Sequence, residues 1–336
     1  MTEAELLSAA RAGDEAAFGQ LAGAYQRPLH AHCYRMLGSV PDAEDALQET
    51  LLRAWRNVRG FEGRSALRSW LYTIATNVCL RMIERRPARV LPIDYGPAAD
   101  PHESFAEPLV ESTWIEPYPH DRLGLQEGLA GPEARYEQRE SIELSFIAAL
   151  QLLAPRQRAV LILREVLGFS GKEVADALET TPAAVYSALQ RAHHIVDSRL
   201  PDRSQQATLQ ALGDEQLREI VSRYVEAWER SDIDAVVAML TDDAVLAMPP
   251  IPTWYRGLEG VTAALRAGPL NGELRWRMIP TEVNGQLAFN AHLWDPASQE
   301  YAPQSVAVLS LRGAEIEQIC AFHDPAAPTL INGGRS

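Results

Sequence analysis

The stretch FSGKEVADALETTPAAVYSALQRAHHIV, residues 169–196, leaves the chain few options. Ser170 and Glu173 form a capping box that starts a short helix, with Val174, Ala175 and Leu178 on its inner face. Thr181 is placed to cap a second helix, with Pro182 in its first turn where the missing N–H costs nothing. Val185, Leu189, Ala192 and Val196 recur at helical spacing and make its buried stripe. Ala183, Tyr186, Ser187, Gln190 and His194 fall on the opposite side, with Arg191 at the edge. Two short helices, the second with a polar outer face, suit the major groove of DNA. On spacing alone an ordinary helical hairpin in a bundle fits equally well. The preceding LLAPRQRAVLILREVLGF reads as a supporting helix whose Arg156, Arg158 and Arg164 are placed to meet phosphates.

The rest of the chain falls into blocks around this one. Residues 3–86 carry helical periodicity broken at LGSVPD and RGFEGRS; residues 90–134 are rich in Pro, Gly and acid with no sustained period. After PDRSQQATLQALGD an amphipathic helix and a shorter one give way to the alternating runs LRWRMI, QLAFNAHLW and SVAVLSL, which read as strands.

In PDAEDALQETLLRAW the inner helical face is Ala43, Ala46, Leu47, Thr50, Leu51 and Ala54, and Asp42, Asp45 and Glu49 share the outer one. A di-metal carboxylate site needs Glu-x-x-His pairs aimed into a bundle core, and none is present. His30, His32 and Cys33 are splayed around a helix at 100° per residue and do not close on one ion. Further on, GFEGRSALRSWLYTIATNVCLRMIERRPAR sets a glycine-bracketed loop before a helix with Trp70, Tyr72, Asn77 and a basic end at Arg81, Arg85, Arg86 and Arg89. Aromatics interleaved with arginine suit single-stranded DNA, with π-faces for bases and guanidinium groups for phosphates. The competing reading packs Trp70 and Leu71 in the core and leaves the arginines to water.

Charge narrows the function classes. The chain carries a net −14, yet residues 1–90 hold 12 arginines against 10 acids while residues 91–135 hold 2 against 9. General nucleic-acid binding needs clustered Lys and Arg, so any DNA contact here must be local and helped by a partner. Cys33, Cys79 and Cys320 are far apart without C-x-x-C spacing, no apolar stretch reaches the roughly 20 residues of a membrane span, and the acidic N-terminus is unlike a signal peptide. A cytoplasmic protein with no membrane partner is expected.

Taken together, DAEDALQETLLRAW, F-x-G-x-S-x-x-x-SWLYTIATN and the helix–turn–helix with SALQRA resemble the bacterial sigma-70 family initiation factors of the extracytoplasmic-function group, over residues 12–90 and 136–200. The resemblance implies two all-α helical sigma domains. The first, region two at 1–90, would dock on the clamp helices of the largest polymerase subunit through Asp42, Asp45, Gln48, Glu49 and Arg53. It would also engage the −10 element through Phe61, Glu62, Gly63, Arg64, Ser65, Arg68, Trp70, Asn77, Arg85 and Arg86. The second, region four at 136–200, would read the −35 element with Arg164, Lys172, Tyr186, Ser187, Gln190 and Arg191. Recognition helices of the family often carry several arginines, and here Tyr186, Ala188 and Gln190 stand in such positions. The acidic linker at 91–135 would thread the polymerase channel that nascent RNA later occupies. Its ESTWIEPYPHDR stretch, with Trp114, Tyr118 and two prolines, invites docking onto the C-terminal domain or region two.

The C-terminal block, 213–328, resembles the SnoaL-like polyketide-cyclase superfamily, most clearly at MPPIPTWYRG. That resemblance implies an α+β cone, a curved sheet wrapped by helices, with Ile220, Val221, Tyr224, Val225 and Trp228 facing the sheet. A candidate pocket is lined by Trp254, Tyr255, Trp276, His292 and Trp294, and His292, Asp295, His323 and Asp324 are available for acid–base work. The expected function is a sigma factor that binds core RNA polymerase, through its largest and second-largest subunits, and promoter DNA, modulated by its own C-terminal domain. No catalysis and no cofactor is expected; a small-molecule ligand of that domain is a further candidate partner. The alternative is a DNA-binding regulator whose SnoaL-like domain binds ligand or acts as an enzyme without polymerase.

Overall fold

The computed structural model describes residues 1–63, 66–86, 88–103, 105–109, 113–119 and 140–323. These form two compact units, Met1–Arg89 with Asp121–Leu200 and Val90–His120 with Pro201–Ser336.

Among its described residues the first unit is all helical. α1 (Glu3–Ala12) starts at a Thr2/Glu5 capping box, and α2 (Glu15–Gly23) is capped by Asp14. α3 (Gln26–Leu37) is its axis: every residue from Leu29 to Leu37 is buried, because α4, α5, α7 and α8 all pack around it. α4 (Val40–Asn57) begins where Ser39 caps the Asp42 N–H, and α5 is Leu67–Ile83. After the described gap come α7 (Leu144–Gln151) and α8 (Pro155–Leu161), which runs into a π-turn at Ile162–Val166. α9 (Gly171–Ala177) opens on the Ser170/Glu173 capping box and α10 (Pro182–Asp197) on Thr181, as their spacing predicts. Val174, Ala175, Leu178, Val185, Ala192 and Val196 are buried.

The second unit is a six-stranded sheet with helices on one face. α11 (Gln205–Glu229, kinked at Gly213) and α12 (Ile233–Val237) precede β1 (Leu240–Ala247), β2 (Trp254–Arg256) and α13 (Gly257–Ala267). β3 (Trp276–Val283), β4 (Gln286–Asp295), β5 (Glu300–Arg312) and β6 (Glu315–His323) follow. The order is β2-β1-β6-β5-β4-β3, with only the β1–β6 pair parallel. Ile220, Tyr224 and Trp228 of α11 lie in one core with Trp276, Met278, Phe289, Leu309 and Ile319 of the sheet. The Tyr224 and Phe289 rings are 4.5 Å apart, and Trp228 meets Trp276 edge-on at 5.9 Å.

The sequence after Arg89 is docked. A single helical turn, α6 (Pro92–Tyr95), leads to Ala99, whose N–H pairs with the Trp254 carbonyl on edge strand β2 at 2.9 Å. Trp254 Nε1 donates to Gly96 O, Tyr255 Oη to Glu103 O, and Phe105 lies edge-on against Tyr255 at 5.7 Å. The segment then crosses to the opposite edge. Pro119 bridges Val283 of β3, the Tyr118 N–H donates to Asn284 Oδ1 at 2.8 Å, and the Asn284 N–H donates to Tyr118 O at 2.9 Å. Val90 pairs with Trp114, so the segment also folds on itself. Both edges of the sheet are therefore covered, which removes free strand edges. Residues 104, 110–112 and 120–135 of the linker lie outside the described residues.

Candidate nucleic-acid interface

On α4 the outer face exposes Asp45, Gln48 and Leu52, with Glu49 and Arg53 half-exposed and ion-paired one turn apart. Leu52, 42% exposed, is a member the sequence reading missed; its spacing of i+7 from Asp45 was the available signal. Asp42 does not belong to that face. It is 6% exposed, accepts from Arg89 Nη2 at 2.8 Å and pairs with Arg86. A carboxylate in a first helical turn is favoured by the dipole, and once buried it needs charge partners, which the chain after α5 supplies.

The start of α5 is arranged by aromatic packing. Phe61, expected at the DNA, is buried with its ring 4.9 Å from Trp70, which props the loop at Glu62 and Gly63; both of these are exposed. Arg64 and Ser65 lie outside the described residues. Asn77 is half-buried, and Arg81 and Arg85 are exposed. Arg86 is exposed as well, and paired with Asp42. Arg68 is turned onto the helix–turn–helix segment instead of outward. Its guanidinium lies 4.5 Å over the Phe169 ring and donates to Leu167 O at 2.8 Å. Beside it Ser69 Oγ donates to Glu173 Oε1 at 3.1 Å. The Ser170 N–H and hydroxyl, then Ser69, hold the Glu173 carboxyl below the usual range.

The same two segments meet at a buried polar seam. Arg35 Nε donates to Ser141 O and its Nη2 to Ser141 Oγ, while Gln151 Nε2 donates to Arg35 O. Arg158, 3% exposed, donates to Met36 O, Gln151 Oε1, Gln151 O and Leu153 O. Burial pushes its pKa down to about 10. The phosphate role expected of Arg158 is thus corrected by its burial; Arg156 stays exposed while donating to Leu178 O, and half-buried Arg164 donates to Phe169 O. Helix ends leave carbonyls without intrahelical partners, and these guanidiniums serve them. On α10, Tyr186, Ser187, Gln190 and Arg191 are exposed, Arg191 Nη1 donates to Ser187 Oγ at 2.7 Å, and Lys172 of α9 is exposed.

The five residues expected to line one C-terminal pocket do not share a face. Tyr255 and Trp276 are in the helix-covered core, and Trp254 turns its indole to Gly96. Arg277 pairs with His292 and Trp294 with Tyr301 across strands, outside that core, where Arg277 stacks over Tyr301 at 4.1 Å. The acid–base candidates are likewise dispersed: His292 and Asp295 on β4 are separated by β5 from His323 on β6, and Asp324 lies outside the described residues. Asp295 accepts from Ser298 and Ala297 in its own turn.

Three family profiles match in this order: Sigma-70 region 2 over residues 21–88, Sigma-70 region 4 over 143–192, and SnoaL-like domain over 221–319. The ECF RNA polymerase sigma factor SigG of Mycobacterium tuberculosis is 41% identical over 302 residues, covering 89% of this chain and 79% of SigG. The chain belongs to the ECF RNA polymerase sigma factors. SigJ of the same organism is 27% identical over 326 residues, 92% of each chain. The crystal structure of SigJ aligns with a TM-score of 0.57 at 21% identity, covering 91% of this chain and 96% of that one, so the fold is shared. This ECF sigma factor thus joins two helical sigma regions to an α+β SnoaL-like domain, and its function is to direct transcription by RNA polymerase. Among the described residues no helix is long and apolar enough to cross a membrane.

Proposed function

We propose that this sigma factor docks on core RNA polymerase through the exposed α4 face, Asp45, Gln48, Glu49, Leu52 and Arg53. It engages the −10 element with the loop after Phe61, Asn77 and Arg85, and the −35 element with Lys172, Tyr186, Ser187, Gln190 and Arg191. The residues divide as domains at 1–90, 91–135, 136–200 and 213–328. The protein works in the cytoplasm and catalyses nothing itself, because melting draws on binding energy and nucleotidyl transfer belongs to the polymerase. The observation that carries the reading is the division of labour on α4: Asp45, Gln48 and Leu52 face outward while the neighbouring Asp42 is used internally. An exposed acidic face with an apolar member has no role in the fold and suits a partner surface.

The SnoaL-like domain acts through the segment it holds. Residues 90–119 are pinned at Ala99 and Tyr118 to both edges of its sheet, so the chain joining the two DNA-reading regions is under its control. Because Arg68, a further −10 candidate, is engaged by the helix–turn–helix segment, its use at the −10 element requires that segment to leave. The test is co-elution of the full chain with core RNA polymerase followed by run-off transcription. Wild type co-elutes and initiates; Asp45→Ala/Glu49→Ala loses co-elution while keeping its melting temperature. Retained co-elution in the double variant would overturn the docking assignment.

A further inference from the structure

At the end of α5 four arginines, Arg81, Arg85, Arg86 and Arg89, crowd into nine positions. They are not equivalent. Arg81, Arg85 and Arg86 are exposed, but Arg86 pairs with Asp42, and Arg89, buried, donates to the other oxygen of the same carboxylate at 2.8 Å. Asp42 reaches them from the first turn of α4, where Ser39 Oγ accepts its N–H and fixes the backbone. One buried carboxylate therefore gathers two guanidiniums from a segment more than forty residues away. Its charge cancels much of what the pair would offer a phosphate.

We propose that Asp42 is a specificity-determining residue of region two: it withholds the exposed Arg86 from DNA phosphates and leaves Arg85, with Arg81, as the end's phosphate contacts, while Arg89 is buried. Phosphate contacts position a protein on DNA but carry no sequence information, and every guanidinium in contact strengthens binding to any sequence. A family-like basic end with four available arginines would grip random DNA. With Asp42 in place the balance shifts toward the base-reading loop and Asn77. This rests on the proposed −10 role of the α5 end and gives Asp42 a part in promoter discrimination instead of polymerase docking.

Salt dependence of holoenzyme binding tests it, on duplexes with and without a −10 element, because each phosphate contact contributes about 0.9 to the slope of log K against log salt. Arg86→Ala is expected to leave the slope unchanged, and Arg85→Ala to reduce it by about one. Asp42→Asn is expected to raise it by about one, to tighten binding to the duplex lacking the element, and so to lower the discrimination ratio. Asp42→Asn/Arg86→Ala returns the slope to wild type. Asp42→Asn removes a buried carboxylate that pairs with Arg89, so should it fail to fold, Arg86→Ala at an exposed position decides alone. If Arg86→Ala lowers the slope as much as Arg85→Ala does, the withholding role is wrong and the DNA surface stands. If Arg85→Ala changes nothing, the DNA surface itself is wrong and the inference falls with it.

Discussion

Two seams in this molecule are built in opposite ways. The first joins the region-two helices to the region-four helices through Arg35, Gln151, Arg158, Arg68 and Ser69. Most of its acceptors are backbone carbonyls, which water serves almost as well, so the net gain of each bond is about 1 kcal/mol. The second joins residues 90–119 to the SnoaL-like domain. It combines pairing with both edge strands and burial of Leu91, Trp114, Ile115 and Tyr118. Apolar burial has no such substitute in water. The first seam also buries apolar surface, with Tyr72 edge-on to Phe169 at 5.6 Å, so what sets it apart is its set of guanidinium bonds, which suit opening more than edge-strand pairing does.

The largest effect that would break the contrast is at the second seam. Trp114→Ala is expected to cost about 3 kcal/mol in thermal unfolding, the usual range for a buried tryptophan. A cost below about 1 kcal/mol would mean the segment is only loosely held. Arg158→Ala strips donors from Met36, Gln151 and Leu153, and is expected to cost about 2 kcal/mol in the free chain. It should speed amide exchange across the first seam while leaving that of Ala99 and Asn284 unchanged. Equal exchange at both seams would erase the distinction.

Acid sharpens it further. Burial pushes His32 down to about 3 and His323 down to about 4, whereas both ionise near 6.5 in an unfolded chain. Below about pH 6.5 the unfolded chain binds protons that the folded one refuses, so stability is full above that pH and falls as the pH drops toward 3–4. Each histidine contributes up to about 1.4 kcal/mol per pH unit in that window. His32→Gln should remove its share of the acid sensitivity from the helical unit alone. Asn284 gives a smaller effect with an internal control. Its φ of 53° suits glycine, so Asn284→Gly loses the Tyr118 acceptor, about 1 kcal/mol, without strain, and Asn284→Ala adds backbone strain. Smallest is Arg68→Ala, expected to cost well under about 1 kcal/mol because the cation–π contact is solvent-exposed. A larger loss would mean the polar seam is not built to open.

What the sequence made legible follows from how local each signal is. The helix–turn–helix is written in caps and periodicity within 28 residues, and Ser170, Glu173, Thr181 and Pro182 each sit where expected. α4 was legible except at Leu52 and at Asp42, whose assignment turns on Arg86 and Arg89, pairings no helical period encodes. The same non-locality moved Arg158 from a phosphate contact to a buried donor for Met36. Pro and acid content made 91–135 read as a linker, although Trp114 and Tyr118 signalled docking; edge-strand pairing has no periodic signature. The C-terminal aromatics were legible as buried or not, but which face of the sheet each takes depends on register, which separated His292 and Trp294 from Trp276.

The most direct test of the contrast is a pair of spin-label distances in the full chain, free and bound to core polymerase. Labels at Glu84→Cys and Asp176→Cys span the polar seam; labels at Glu107→Cys and Arg266→Cys report on the strapped domain, and all four positions are exposed. The first distance should lengthen on polymerase and the second should not change. A first distance that stays put in a transcribing complex, or a second that lengthens with it, would contradict the account.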